Sequence, residues 1–199
     1  MQVQIHDDRV FTVPGFLSRE ECAEVMALAE RSGFDAATVR MDAGPKLLTG
    51  IRNNERTMVA DAAWVARLWE RLRELPLPAL DGERAVGLPR DLRFYRYSPG
   101  QRFRMHKDGP WREDGRVSRL TFLVYLNDGF EGGDTGFREF AVTPETGSAL
   151  LFIHDTWHEG APVTAGTKYV LRSDVMYAPA VDATAAGDGE TAAEGGDRS

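Results

Sequence analysis

The sequence has one cysteine, Cys22, so no disulfide can form within the chain. A reducing compartment is the expectation, with Cys22 itself serving as a small apolar core residue. No apolar run approaches the roughly 20 residues that a bilayer crossing needs, so no membrane span is read. The first residues, Met1-Gln2-Val3-Gln4-Ile5-His6-Asp7-Asp8, carry neither a basic n-region nor an apolar h-region. They read as no signal peptide, and a cytoplasmic location is expected. Positive charge is also short: 24 Lys and Arg stand against 31 Asp and Glu, giving a net charge of −7 and a pI near 5.2. Such a chain does not grip nucleic acid through bulk charge. Internal repeats are absent. From Pro179 to Ser199 large apolar residues are almost missing, and this Ala/Gly-rich acidic tail cannot bury enough surface to order itself.

What remains, residues 1–178, reads as one domain with 42% hydrophobic residues, enough for a sizeable core. Val10 to Val13 reads as a first strand. Ser18 with Glu21 forms a capping box, Leu17 sits at the staple position, and Cys22, Val25, Met26 and Ala29 recur at helical spacing up to Gly33. A second helix is predicted over Asp61 to Leu75, with Trp64, Val65, Leu68, Trp69 and Leu72 as its buried stripe and Pro76 as its end. Phe34 to Met58 and Pro76 to Arg90 show no clear period. Beyond them come short β-like runs: Leu92 to Ser98, Phe103 to Asp108, Ser118 to Leu126, Ala149 to Ile153 and Tyr169 to Met176. The Ser118 to Leu126 run is almost continuously apolar, as a strand buried on both faces would be. Helical support over 15–75 and a β core over 92–177 suggest a mainly β barrel or double-sheet jelly roll with flanking helices.

The chemistry concentrates in Met105-His106-Lys107-Asp108 and Thr156-Trp157-His158. His106 and Asp108 are two apart, so an extended strand sends both to one face. A histidine arriving from a distant strand completes two imidazoles and one carboxylate, a set suited to non-haem Fe(II) with positions left open for a cosubstrate and O₂. An isolated His-x-Asp is commonplace on surface strands, so the ordered surroundings matter more than the triplet. His154, four residues before His158, is the nearest competitor but reads better as a hydrogen-bonded structural histidine. Trp157 reads as packing. Lys168 begins a strand of apolar neighbours and would need an anion if it faced inward, which the far end of a metal-chelating dicarboxylate would supply. Arg172 has the same strand parity and offers a fork where lysine offers a point charge. An ordinary ion pair with Asp174 is its simpler role. Tyr97 and Thr121 place hydroxyls on flanking strands, against the plainer reading of a core tyrosine and a backbone-satisfied threonine. Arg52, Asn54, Arg56, Arg104, Trp111 and Arg112 lie on or near loops. They are candidate substrate contacts, otherwise ordinary solvated residues, and their cations hint at an anionic substrate steered to a basic mouth.

Taken together, the ordered segments are identifiable. Arg96-Tyr97-Ser98-Pro99-Gly100-Gln101 leads to His106-Lys107-Asp108. Leu120-Thr121 runs through to Tyr125-Leu126-Asn127. Gly132-Gly133-Asp134-Thr135-Gly136-Phe137 forms a turn, Gly147 to Phe152 a strand, and His158, Pro162-Val163, Gly166 and Lys168 close the series. From about Val10 to Tyr177 the chain resembles the Fe(II)- and 2-oxoglutarate-dependent oxygenases, on their prolyl 4-hydroxylase-like branch. The resemblance implies a double-stranded β-helix, iron held by His106, Asp108 and His158, and 2-oxoglutarate gripped by Lys168 with help from Tyr97 and Thr121. It also implies a hydroxylation that consumes O₂ and releases succinate and CO₂, with ascorbate as a supporting reductant. The substrate would be a small molecule, an amino acid or a protein side chain. Retention of Asp108 argues against halogenation, in which that ligand position is vacated. Two departures stand out. Phe103 replaces the tyrosine usual three residues before the first histidine, and Arg52-Asn53-Asn54 stands where Arg-x-Ser is usual, away from a peptidyl-proline substrate. Desaturation, epoxidation or cyclisation at the same iron, a non-catalytic binding module and a zinc hydrolase on a similar barrel are the alternatives. The sequence carries no reading of oligomeric state.

Overall fold

In the computed structural model, residues 1–37, 39–41, 44–46 and 50–180 are described. The first helix runs over Arg19–Ser32 and carries both halves of the capping box. The Glu21 N–H donates to Ser18 Oγ at 3.2 Å and the Ser18 N–H to Glu21 Oε2 at 2.9 Å, satisfying two donors that a helix start leaves open. The second helix is Ala62–Leu72, shorter than the apolar pattern suggests. Asp61 caps it by accepting from the Trp64 N–H at 3.0 Å. Its end tightens at Leu75, whose N–H reaches the Leu72 carbonyl. Glu21 joins the two helices, taking the Arg71 fork at 2.8 and 2.7 Å and Arg67 at 2.6 Å.

Both helices cover one face of a large antiparallel sheet. Its order is Gln4–Ile5, Val10–Val13, Ala149–Ile153, Arg116–Tyr125, Lys168–Pro179, Asp91–Tyr97, Glu55–Ala60 and Asp35–Ala36. Alternation divides each strand between two environments. Phe94, Leu120, Phe122, Leu171 and Val175 face the helices and pack with Cys22, Val25, Leu68 and Leu72. Tyr95, Tyr97, Tyr125, Leu150, Phe152 and Val170 face the other way, into a second cluster with Phe137 and Val142. That inner face looks toward a smaller sheet ordered Ala141–Val142, Thr135–Phe137, His158–Gly160 and Phe103–His106, with Phe130–Gly132 and Val163–Gly166 paired beside it. Two antiparallel sheets facing across a core, with helices on one outer face, make the double-sheet jelly roll that the strand spacing suggested and the double-stranded β-helix that the resemblance implied.

Gly147 locks helix entry to this core. It sits at φ +80, the Leu17 N–H donates to its carbonyl, and a Cβ there would lie 2.0 Å from the Leu17 carbonyl oxygen. Only glycine fits.

Several boundaries differ from the sequence reading. The last strand extends over Lys168–Pro179, because the segment beyond Met176 pairs with a Glu83–Gly87 strand inside the supposedly periodless Pro76 to Arg90 stretch. Glu55–Ala60 is likewise a strand, held against Asp91–Tyr97. The strand carrying His106 ends there, so Asp108 lies just beyond it. Among the described residues no helix is long and apolar enough to cross a membrane. The stretch 181–199, most of the expected disordered tail, lies outside the described residues.

Candidate active site

The smaller sheet brings the two histidines together. His158 and His106 are register partners on adjacent strands, with ring centroids 4.2 Å apart. Asp108 closes the group: Oδ1 lies 3.6 Å from His106 Nε2 and Oδ2 lies 3.6 Å from His158 Nε2. One donor atom from each of the three falls within 4.8 Å of the others. Both rings are oriented from behind. His106 Nδ1 contacts the Arg104 carbonyl at 2.7 Å and His158 Nδ1 the Thr156 carbonyl at 3.0 Å. Carbonyl oxygens only accept, so each Nδ1 carries the proton and each Nε2 presents its lone pair toward Asp108. Burial pushes the His158 imidazole down to about 4, against the pull of Asp108. It is therefore neutral near pH 7, the form a metal needs.

Burial alone would raise the Asp108 carboxyl, but Arg172, His106 and His158 outweigh it and hold the group well below the usual range. Arg172 Nη2 contacts Asp108 Oδ2 at 2.9 Å and Asp174 Oδ1 at 3.3 Å. Arg93 pairs with the other oxygen of Asp174. The Thr121 hydroxyl donates to Asp108 Oδ2 at 2.5 Å and touches His154 Nδ1 at 3.0 Å. Thr121 thus braces the carboxylate. His154 spends its other nitrogen on Ser118 Oγ at 2.8 Å, which keeps it out of the trio.

Lys168 is different. It is buried, its ammonium donates to the Gly133 carbonyl at 2.5 Å, and the faces of Tyr97 and Tyr125 lie 5.5 and 5.3 Å away. No carboxylate within 4.0 Å pairs with it among the described residues, whereas Arg172 has two. Burial, only partly offset by Asp134, pulls the Lys168 amine down to about 7. Burial lifts the Tyr97 phenol to about 12.

These groups line a cavity of about 1120 Å³ between the sheets. Of the six expected substrate contacts, Arg52, Arg56 and Trp111 line it, while Asn54, Arg104 and Arg112 do not. Arg104 and Arg112 are exposed, and Trp111 and Glu113 on either side of Arg112 face the cavity, so Arg112 points away. Asn54 is buried behind the wall, accepting from Arg52 Nε at 2.7 Å. Sequence reasoning passed over Arg93 and Tyr95, although their parity with Tyr97 on one strand would have found them. It also took Trp157 for packing. Trp157 instead lies on the cavity wall, its ring facing Lys107 and Arg138.

Comparison with known proteins agrees with this geometry. Residues 92–173 match the family model of the 2OG-Fe(II) oxygenase superfamily. The chain is 27% identical over 190 residues to a putative prolyl 4-hydroxylase of Acanthamoeba polyphaga mimivirus, covering 82% of this chain and 72% of that one. It is 27% identical to prolyl 4-hydroxylase 2 of Arabidopsis thaliana, covering 81% of this chain and 64% of the other. The solved viral collagen prolyl hydroxylase of Paramecium bursaria Chlorella virus 1, in its 2OG complex, superposes with a TM-score of 0.65 at 23% identity, over 85% of this chain and 96% of that one.

Proposed function

This chain is a member of the 2OG-Fe(II) oxygenase superfamily, prolyl 4-hydroxylase-like, and from that premise we propose that His106, Asp108 and His158 hold its Fe(II) and Lys168 its 2-oxoglutarate. The protein is a hydroxylating dioxygenase, and the finer reading concerns which residues do what and on which substrate. The observation that carries the assignment is the pairing of two Nε2 lone pairs and a carboxylate beside a buried, anion-free lysine. The donor set fits the metal: two imidazoles presenting Nε2 and one carboxylate are the ligand types that non-haem Fe(II) takes. When bound, the iron and its 2-oxo acid supply the oxidising power, with O₂ consumed and succinate and CO₂ released.

The chain's own residues have the remaining tasks. Arg104 and Thr156 carbonyls fix the imidazole tautomers. Arg172 and Thr121 hold Asp108 ionised and correctly turned. Lys168 offers the distal carboxylate of 2-oxoglutarate a charge-assisted partner, and Tyr97 walls that end of the cavity. Arg172 is already engaged by Asp108 and Asp174, which favours Lys168 for the cosubstrate. The substrate we propose is an organic molecule bearing an anionic group, on which a C–H bond becomes C–OH. A cytoplasmic location belongs to the same proposal, as does ascorbate as a supporting reductant.

Anaerobic titration with Fe(II) and then 2-oxoglutarate tests the assignment without knowledge of the substrate. A saturable visible charge-transfer band, present in the wild type and lost in His106→Ala, is expected. Folded wild-type protein that binds neither would refute it.

A further inference from the structure

Among the described residues, Arg52 is the one buried cation on the cavity wall whose chemistry the reading above leaves unused. Its side chain is 5% exposed. The guanidinium lies over the Tyr95 ring at 4.2 Å and the Phe103 ring at 4.6 Å, and Nε donates to Asn54. Nη2 is buried with no hydrogen-bond partner. An unmet charged donor is costly when desolvated, so a fork held this firmly with one arm empty is built to receive an acceptor. Its place is close to the metal residues, since Phe103 stacks in turn on His106 with ring centroids 3.6 Å apart. Only that ring separates guanidinium from imidazole.

Cations crowd the corner of the cavity around Tyr95. Arg52, Arg56, Arg93 and Arg172 line the same part of the cavity around Tyr95, where Arg172 pairs with Asp108 and Asp174 and Arg93 with Asp174. Asp108 is committed to the metal. Asp91, Glu113 and Glu159 also line the cavity. Of these, Glu113 is already engaged by Arg90 and Arg116. Although burial pushes the Tyr95 phenol up, Arg172, Arg52 and Arg93 bring it down to about 7, a sign of how positive this corner is. The mouth is apolar by contrast. Ile51, Met58, Met105, Trp111 and Trp157 are each 38–51% exposed and all line the cavity. The other exposed large hydrophobics among the described residues, Met1 and Ile5, lie at the N-terminus. A positive recess behind an apolar rim selects a molecule with the opposite arrangement.

We infer that Arg52 receives the carboxylate of the primary substrate, and that this substrate is a small amphipathic organic acid whose apolar part lies against the rim. The inference rests on the oxygenase reading and sharpens it. A peptide interior would offer the Arg52 Nη2 donor a backbone carbonyl but no opposite charge, whereas a carboxylate supplies both. Lys168 is spoken for by the cosubstrate, so Arg52 serves a second, distinct anion.

The test uses full-length Fe(II)-loaded enzyme, kept anaerobic and saturated with 2-oxoglutarate, with 4-phenylbutyrate and its uncharged amide as probes. Calorimetry should show the carboxylate binding at least tenfold tighter than the amide. Arg52→Gln should weaken the carboxylate about 10- to 100-fold, the loss of a charge-assisted hydrogen bond, with the visible band and the 2-oxoglutarate affinity unchanged. Equal affinity for acid and amide, or no binding of the acid by the wild type, would overturn the inference. So would an Arg52→Gln enzyme that binds the acid normally or loses 2-oxoglutarate instead, which would assign Arg52 to the cosubstrate. Should that variant not fold, the acid-to-amide comparison on the wild type decides alone. Absence of the band in the wild type is a separate failure, that of the oxygenase reading.

Discussion

Replacing Lys168 with methionine separates a cosubstrate lysine from a merely structural one. The amine is buried, partnered by a carbonyl, and drawn from 10.5 to about 7. That difference corresponds to roughly 5 kcal/mol of penalty on its charged form. The sign follows from proton counts. The unfolded chain keeps this proton up to 10.5 while the folded, cofactor-free chain releases it above about 7. The unfolded state therefore binds more protons between those values, and stability rises with pH across that window. Below pH 7 the whole penalty is present. Lys168→Met removes it, so at pH 6 the cofactor-free variant should melt roughly 10–20 °C above wild type, at about 2–4 °C per kcal/mol for a chain of this length. Binding should move the other way. Losing a charged partner costs about 1.5–3 kcal/mol, so the Kd for 2-oxoglutarate should rise about 10- to 150-fold. Wild-type affinity should also fall by up to about tenfold per pH unit above 7 as the amine must regain its proton, while the variant stays flat. Anaerobic calorimetry and thermal melts across pH measure both. A variant with unchanged Kd and unchanged melting temperature would refute the reasoning.

Asp108→Ala should abolish succinate formation from 2-oxoglutarate. Because it leaves Arg172 with Asp174 alone of its two partners, it should also cost about 1–3 kcal/mol in denaturant melts; full 2-oxoglutarate consumption by this variant would sink the ligand assignment. Glu21→Gln should cost about 2–3 kcal/mol at pH 7. The Arg71 hydrogen bonds hold the Glu21 carboxyl down to about 2, from 4.5. Its contribution is present above 4.5 and lost as pH falls through about 2, so wild type and variant should converge in acid melts. Gly147→Ala should destabilise by more than about 3 kcal/mol, since its Cβ meets the Leu17 carbonyl. A variant within 1 kcal/mol of wild type, on the order of ordinary surface changes, would mean the loop relaxes.

Local chemistry made much of this protein legible in sequence. The Ser18–Glu21 box marked its helix to the residue, the Val10–Val13 strand carries strong β formers closed by a turn, and Ala149–Ile153 is a short apolar run that follows a glycine. His106, Asp108 and His158 stood out because each is a metal-ligating type within an ordered series of segments. The rest depends on pairing across distance. Glu55–Ala60 is a strand chiefly because Asp91–Tyr97 lies beside it, since its own residues, half of them charged or polar, show no strong β pattern. Thr121 braces Asp108 and Arg93 meets Asp174 across 13 and 81 residues of chain, and no period encodes such partners. Arg104 and Arg112 looked like mouth residues because they are basic and close to the motif, yet strand direction turns their side chains to solvent. The apolar rim is similarly invisible beforehand, because Ile51, Met58, Met105, Trp111 and Trp157 come from separate segments that only the fold gathers.

Anomalous diffraction at the iron edge, from crystals grown anaerobically with Fe(II) and 2-oxoglutarate, tests the central claim most directly. It should show one iron within bonding distance of His106 Nε2, His158 Nε2 and an Asp108 oxygen, with the far carboxylate of 2-oxoglutarate on Lys168. Iron bound through His154, or that carboxylate seated on Arg52 or Arg172, would contradict the account.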